Sequence, residues 1–152
     1  MDKDMKNDTS LTPLELIKKL GKFDLDPCGL NFHKTAGKII EWPNDGLSEN
    51  WAGRVWCNPP YSNPTPWLDR LSRHNNGIAL VLNSTDTEWF QEYVFNRQCG
   101  VLFLKGRPKF MRKDLSRFQI MRGGLVLIAY GVQNMSILEN SGISGSYIEM
   151  SF

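Results

Sequence analysis

The run Arg54-Val55-Trp56-Cys57-Asn58-Pro59-Pro60-Tyr61 leads an apolar segment into groups suited to holding a flat, nitrogen-bearing ring. Proline fixes φ and carries no amide hydrogen, so the carbonyls of Pro59 and Pro60 point rigidly and are not consumed by a strand ladder. Asn58 adds a side-chain acceptor on a neighbouring vector. Two fixed acceptors close together suit a planar amino group with two hydrogens to donate. They favour the tetrahedral nitrogen that forms as such an amine attacks an electrophile, a case of preorganised electrostatic stabilisation. Tyr61 offers a face on which a heteroaromatic ring can stack. A stiff turn that packs its tyrosine into the core is the other reading of the same four residues.

A second apolar run ends in unusual polar chemistry: Asp24-Leu25-Asp26-Pro27-Cys28-Gly29. In an open α/β sheet, ligands collect at the carboxyl ends of the strands. If the two runs are neighbouring strands, both endings open onto one crevice. An Asx turn at Asp24 or Asp26 is the structural alternative.

These endings need a sheet behind them, and the chain supplies one. Ile78 to Leu82 and Leu125 to Tyr130 are continuous apolar stretches, as expected of strands buried on both faces. "GVLFLKG" is a further run of this kind. Thr65 to His74 and Asp86 to Asn96 read as helices, the second with Ser84 or Thr85 as cap and Glu88 behind it. An earlier helix is expected in "LTPLELIKKLG", with Thr12 as N-cap, Pro13 at the first helical position and Glu15 completing a capping box. Gly21 would stop it, and Leu14, Ile17 and Leu20 would face the core. Strands alternating with helices predict an α/β layer fold with a largely parallel sheet. At 152 residues the chain suits one domain, residues 1–10 reading as a flexible tail. Residues 135–152 follow no clear pattern beyond a final strand near Ser146 to Phe152.

The connection from Gly106 to Gly123 is long for such a fold, and long loops there are usually functional. The segment Lys105 to Arg122 carries seven of the chain's 18 basic residues against one acid, Asp114. A solvated surface explains many such runs; a phosphate-binding surface is the sharper reading. Lys105, Arg107, Lys109, Arg112, Lys113 and Arg117 are the candidate nucleic-acid contacts. Cys28, Cys57 and Cys99 form no C-x-x-C pair, and His33 and His74 are isolated, so neither a disulfide framework nor a metal site is expected. Both histidines read as ordinary surface residues. The polar start and the lack of an apolar run of about 20 residues predict a cytoplasmic protein without a membrane span.

N-P-P-Y after an apolar strand resembles the motif of the amino-methyltransferases, which act on exocyclic nitrogens of adenine or cytosine. The ordered set "FDLDPCG…DGL…W…VWCNPPYSNPTPWL…STDTEWF…GRPKF" is more specifically similar to the short, Dam-like, phage-type DNA N6-adenine methyltransferases. It covers Phe23 to Tyr130. The resemblance implies a reduced class I methyltransferase-like (Rossmann-type) fold, mostly parallel, with flanking helices. It implies S-adenosylmethionine as cofactor and, as partner, duplex DNA with a flipped adenine. Asn58, Pro59, Pro60 and Tyr61 would hold the base. Asp26, Pro27, Cys28 and Gly29 would line the cofactor site, with Asp45 meeting ribose hydroxyls. Only Gly29 remains of the several glycines that larger methyltransferases carry in this loop. The family suggests protection of phage DNA from restriction in a bacterial host. A non-catalytic nucleic-acid-binding derivative, or an enzyme for cytosine N4, an RNA base or glutamine, satisfies the same residues.

Overall fold

The computed structural model describes residues 11–108, 110–111, 118–119 and 123–151, with backbone alone at 110–111 and 118–119. A short helix, α1 (Leu14–Lys18), is followed by the strands β1 (Leu25–Asp26), β2 (Lys38–Ile39) and β3 (Val55–Cys57). Helix α2 (Thr65–His74) connects β3 to β4 (Gly77–Leu82). Helix α3 (Glu88–Phe90) continues into a wider, π-type turn over Gln91–Phe95. Next come β5 (Cys99–Leu104), the small pair β6 (Phe110–Met111) and β7 (Phe118–Gln119), and β8 (Leu125–Tyr130). Helix α4 (Val132–Glu139) and β9 (Gly145–Met150) complete the chain.

Seven strands form one sheet in the order β2-β1-β3-β4-β8-β5-β9. The pairings β2–β1, β1–β3 and β3–β4 are parallel, whereas β4–β8, β8–β5 and β5–β9 are antiparallel. Five strands therefore share one direction, and β8 and β9 oppose it. The expected α/β class with flanking helices holds, but its pairings are mixed rather than mostly parallel. The cause is the return of β8 between β4 and β5: an antiparallel neighbour needs no crossover helix. As a result β1, β3, β4 and β5 all end at one edge of the sheet, where β8 begins.

The continuous apolar runs are explained by burial on both faces. Ala79, Val81, Val126 and Ile128 pack with Trp67, Leu68 and Leu71 of α2 and with Phe90 and Val94. Their alternates Ile78, Leu80, Leu125 and Leu127 pack with Ile17, Leu20, Met135 and Leu138, under α1 and α4. Helix α2 spans the expected residues and ends at Asn75, whose φ of 55° makes a left-handed cap.

Two helix starts differ from expectation. Helix α1 begins after Pro13 without a side-chain cap, so Thr12 is not its N-cap. Leu14, at 36% exposure, stays outside the core that Ile17 and Leu20 enter. In α3 the cap is Thr87, whose hydroxyl oxygen accepts from Phe90 N at 3.3 Å. Ser84 and Thr85 are tied instead into the preceding turn, through Thr87 N–H to Ser84 O and Thr85 N–H to Asn83 O. Helix α4 gave no sequence signal because its pattern is inverted: Val132 is 75% exposed while Asn134 is buried at 1%. Asn134 repays that burial by accepting from Arg54 Nε at 2.6 Å and donating to Asn76 Oδ1 at 2.8 Å.

Leu127 is fully buried on the α4 side of the central β8. Leu127→Ala is expected to lower unfolding stability by roughly 2–5 kcal/mol, read as a shift in the urea midpoint.

Candidate active site at the carboxyl edge of the sheet

Strands β1 and β3 are parallel neighbours with Leu25 opposite Val55, so the two polar endings do lie side by side. Asp26, 3% exposed, closes β1. Its Oδ1 accepts from the Cys28 amide at 3.1 Å, an Asx turn, and its Oδ2 accepts from the Thr35 hydroxyl. Burial pushes its pKa up to about 6, although both hydrogen bonds act to lower it. Gly29 is required by this carboxyl: a Cβ there would lie 2.5 Å from Asp26 Oδ2. Its missing side chain thus makes room for Asp26. Gly46 plays the matching part for the next residue, since its Cβ would lie 1.8 Å from the Pro27 carbonyl oxygen. Beside it, Asp45 accepts from Leu47 N at 3.0 Å and from the Ser48 hydroxyl at 2.9 Å, so both its oxygens already serve its own loop.

Asn58 is held on two sides. Its backbone carbonyl accepts from Cys28 Sγ at 3.3 Å, and its side-chain Nδ2 donates to Thr12 Oγ1 at 3.1 Å. The Thr12 carbonyl in turn lies 2.6 Å from His33 Nε2. A carbonyl can only accept, so Nε2 carries the hydrogen. Cys28 remains a thiol able to donate, because its contact with Cys57 (Sγ to Sγ, 3.9 Å) and its burial raise its pKa well above the usual range. Pro59 and Pro60 are buried. The Pro60 carbonyl is not in a strand ladder, as expected, but accepts from Asn63 N at 3.1 Å in a turn. Tyr61 is half-buried, with its ring against the core cluster on the α1 side and part of its surface still accessible.

Thr12, Asp26, Cys28, Asn58 and Trp56 share the lining of a small cavity of about 10 Å³, room for about one water. Trp56 is fully buried, and its indole N–H has no hydrogen-bond partner among the described residues. A buried donor left unpaired costs about 1–3 kcal/mol.

Sequence reasoning missed Thr12 and His33. Thr12 looked like a helix cap because Thr-Pro-x-Glu is a capping signature, and nothing local shows that its hydroxyl reaches residue 58. His33 is half-buried and anchored rather than an ordinary surface residue, and His74 likewise bonds the Gly53 carbonyl at 2.7 Å. Of the basic candidates, Lys105 and Arg107 are exposed just beyond β5, at the same sheet edge as Asn58. Lys109, Arg112, Lys113 and Arg117 lie outside the described residues. Among the described residues no helix is long and apolar enough to cross a membrane.

The Asp26 pKa gives a signed prediction. A carboxyl whose folded pKa exceeds its unfolded value binds more protons when folded, so stability falls as pH rises between the two values. That contribution is present below pH about 4 and lost by pH about 6, and amounts to roughly 2–3 kcal/mol. Asp26→Asn should flatten this part of the profile, making the variant gain on the wild type between pH 4 and 7 in urea titrations.

Comparison with known proteins adds independent findings. The family model described as DNA N-6-adenine-methyltransferase (Dam) matches residues 2–136. A DNA N-6-adenine-methyltransferase of Haemophilus phage HP1 is 34% identical over 99 residues, covering 61% of this chain and 57% of that protein. One of Escherichia phage T1 is 34% identical over 91 residues, covering 53% of this chain and 38% of that protein. The chain thus spans little more than half the length of the first relative and less of the second. No solved structure matches the chain.

Proposed function

Because the chain belongs to the DNA N-6-adenine-methyltransferase (Dam) family, we propose that it methylates the exocyclic N6 of adenine in DNA. The observation that carries this reading is the placement of Asn58-Pro59-Pro60-Tyr61 directly beside the Asp26–Gly29 ending, on neighbouring parallel strands. The Asn58 side-chain oxygen and the Pro59 carbonyl would accept the two amino hydrogens, holding the nitrogen as it becomes tetrahedral. The Pro60 carbonyl, which accepts from Asn63 N, keeps a second lone pair and would lie beside these acceptors. Tyr61 would stack on the flipped base, returning roughly 1–3 kcal/mol against the few kcal/mol that leaving the duplex costs.

Asp26, Cys28, Gly29, Trp56 and Asn58 line one cavity of about 10 Å³, with room for about one water, so it would have to open to admit a cofactor among these groups. When bound, S-adenosylmethionine supplies a methyl group already activated on a sulfonium, so positioning does most of the work. Asp26, Pro27, Cys28 and Gly29 would line its site, and Asp45 would reach a ribose hydroxyl through lone pairs left over from its own loop. Lys105 and Arg107, with Lys109, Arg112, Lys113 and Arg117, would meet the phosphates. We place the reaction in the cytoplasm of a bacterial cell.

DNA incubated with the protein and labelled cofactor, then digested to nucleosides, should yield N6-methyladenine by mass. Asn58→Ala should cut the rate by roughly 10²–10³ while leaving the thermal midpoint unchanged. Unmethylated DNA with salt-dependent binding would favour a non-catalytic DNA-binding protein; methylcytosine, methylated RNA or methylglutamine would reassign the acceptor. Separately, Arg107→Ala should weaken DNA binding alike for all sequences and lower the slope of log K against log salt by about 1.

A further inference from the structure

Between β2 and β3 the segment Asp45 to Glu49 is irregular, so its carbonyls have no ladder to enter. Three hydrogen bonds within it run to Asp45: Leu47 N to Oδ1 at 3.0 Å, the Ser48 hydroxyl to Oδ2 at 2.9 Å and Ser48 N to the carbonyl at 3.0 Å. They close a turn but use none of the carbonyls of Gly46, Leu47 and Glu49. Those oxygens are met from α2 and from Trp51. Arg70 Nη1 donates to Leu47 O at 2.5 Å and reaches Gly46 O at 3.4 Å, while Nη2 donates to Glu49 O at 2.5 Å. Trp51 Nε1 donates to Gly46 O at 2.8 Å, and the Arg70 guanidinium stands 4.7 Å from the Trp51 ring centroid.

A guanidinium suits this task, because its donors diverge in a fixed plane and one group can span oxygens along a turn. Arg73 on the same helix shows the ordinary alternative: it is largely exposed and pairs with Asp69 one turn back. What the loop touches gives the Arg70 contact its meaning. Gly46 is buried against Pro27, where a Cβ would lie 1.8 Å from the carbonyl oxygen. Leu47 and Trp51 pack on the core cluster that contains Trp67, Leu68 and Leu71 of α2. The loop is thus wedged between α2 and the Asp26–Gly29 ending. Helix α2 begins at Thr65, shortly after Tyr61, so one rigid element joins this loop to the Asn58–Tyr61 segment.

We propose that Arg70 is a positioning residue of the cofactor site: its guanidinium holds the Gly46–Glu49 backbone against Pro27 and so keeps Asp45 beside the Asp26–Gly29 ending. The effect on cofactor rests on the reading of those residues as the S-adenosylmethionine site, but the clamp itself can be observed without cofactor. The test uses the full chain with Arg70→Met, which keeps the apolar stem and removes the fork, and with Arg70→Lys, which keeps the charge without the fork. In ¹⁵N–¹H exchange spectra without cofactor, the Leu47 and Ser48 amides of Arg70→Met should exchange about tenfold faster than in the wild type, with the β4 amides unchanged. In calorimetry with S-adenosylmethionine and no DNA, the dissociation constant should rise about tenfold, as expected if the held loop falls to about one-tenth occupancy. Methyl transfer should show the same rise in KM for the cofactor, with kcat at saturation and KM for DNA within about twofold of the wild type. Arg70→Lys should fall between the two in each measurement.

Loop amides that exchange in Arg70→Met as they do in the wild type would overturn the clamp. Faster loop exchange with an unchanged cofactor dissociation constant would overturn the positioning role. An equal loss of protection in β4 would overturn it too, since Arg70 would then support the whole fold. If Arg70→Met does not fold, Arg70→Lys carries the same three comparisons. A wild type that binds no S-adenosylmethionine, with the loop still released by Arg70→Met, leaves the clamp standing and sinks the methyltransferase reading instead.

Discussion

The parallel pairing of β1 with β3 is the constraint on which the site depends. Only Leu25 opposite Val55 registers the two strands, and β1 is two residues long, so the ladder supplies little by itself. The strand endings are held by side chains instead. Asp26 accepts from the Cys28 amide and from Thr35, and Cys28 donates through its thiol to the Asn58 carbonyl. Each link is a modest hydrogen bond, worth about 0.5–1.5 kcal/mol net. Their value lies in geometry: together they set one polar loop against the other without a regular element crossing between them.

The same economy accounts for a buried carboxyl in a place where burial is costly. Asp26 is raised to about 6 by desolvation, which works against stability at neutral pH. It is retained where it closes a turn that no backbone ladder can close, because Pro27 has no amide hydrogen to offer. The packing at two glycines is close: a methyl at Gly29 would strike the carboxyl, and one at Gly46 would strike Pro27. The glycine-poor loop is thus a tightly filled corner, not a glycine-rich cradle with residues missing.

Much of this was legible in the sequence, and the parts that were not share a cause. The long apolar runs announced β4, β5 and β8 because burial on both faces leaves no polar alternation to confuse them. Helix α2 spans the residues expected of it, Thr65 to His74. The adjacency of the Asp26 and Asn58 strand endings followed from the two apolar runs that precede them, whereas the turn closed by Asn63 N on the Pro60 carbonyl had no local signal. Thr12, His33 and the buried Asn134 were invisible for a common reason: each takes its meaning from a partner 21 to 80 positions away. Local patterns assign such residues to the nearest rule, here helix capping or a solvent-exposed surface. The edge strand β2 is too short for any pattern to register.

One feature of the sheet bears on how such a protein could diversify. The chain leaves the site's edge after Leu104 and returns at Leu125, and both ends are pinned by ladders, Phe103 and Val81 each facing Val126. Doubling the length of a loop costs only about 0.6 kcal/mol in closure entropy. Insertions, deletions and charge changes between these anchors therefore leave the Asp26 and Asn58 corner undisturbed. The connection can therefore vary while the corner beside it is inherited intact, a division of labour set by nothing more than the direction in which one strand runs.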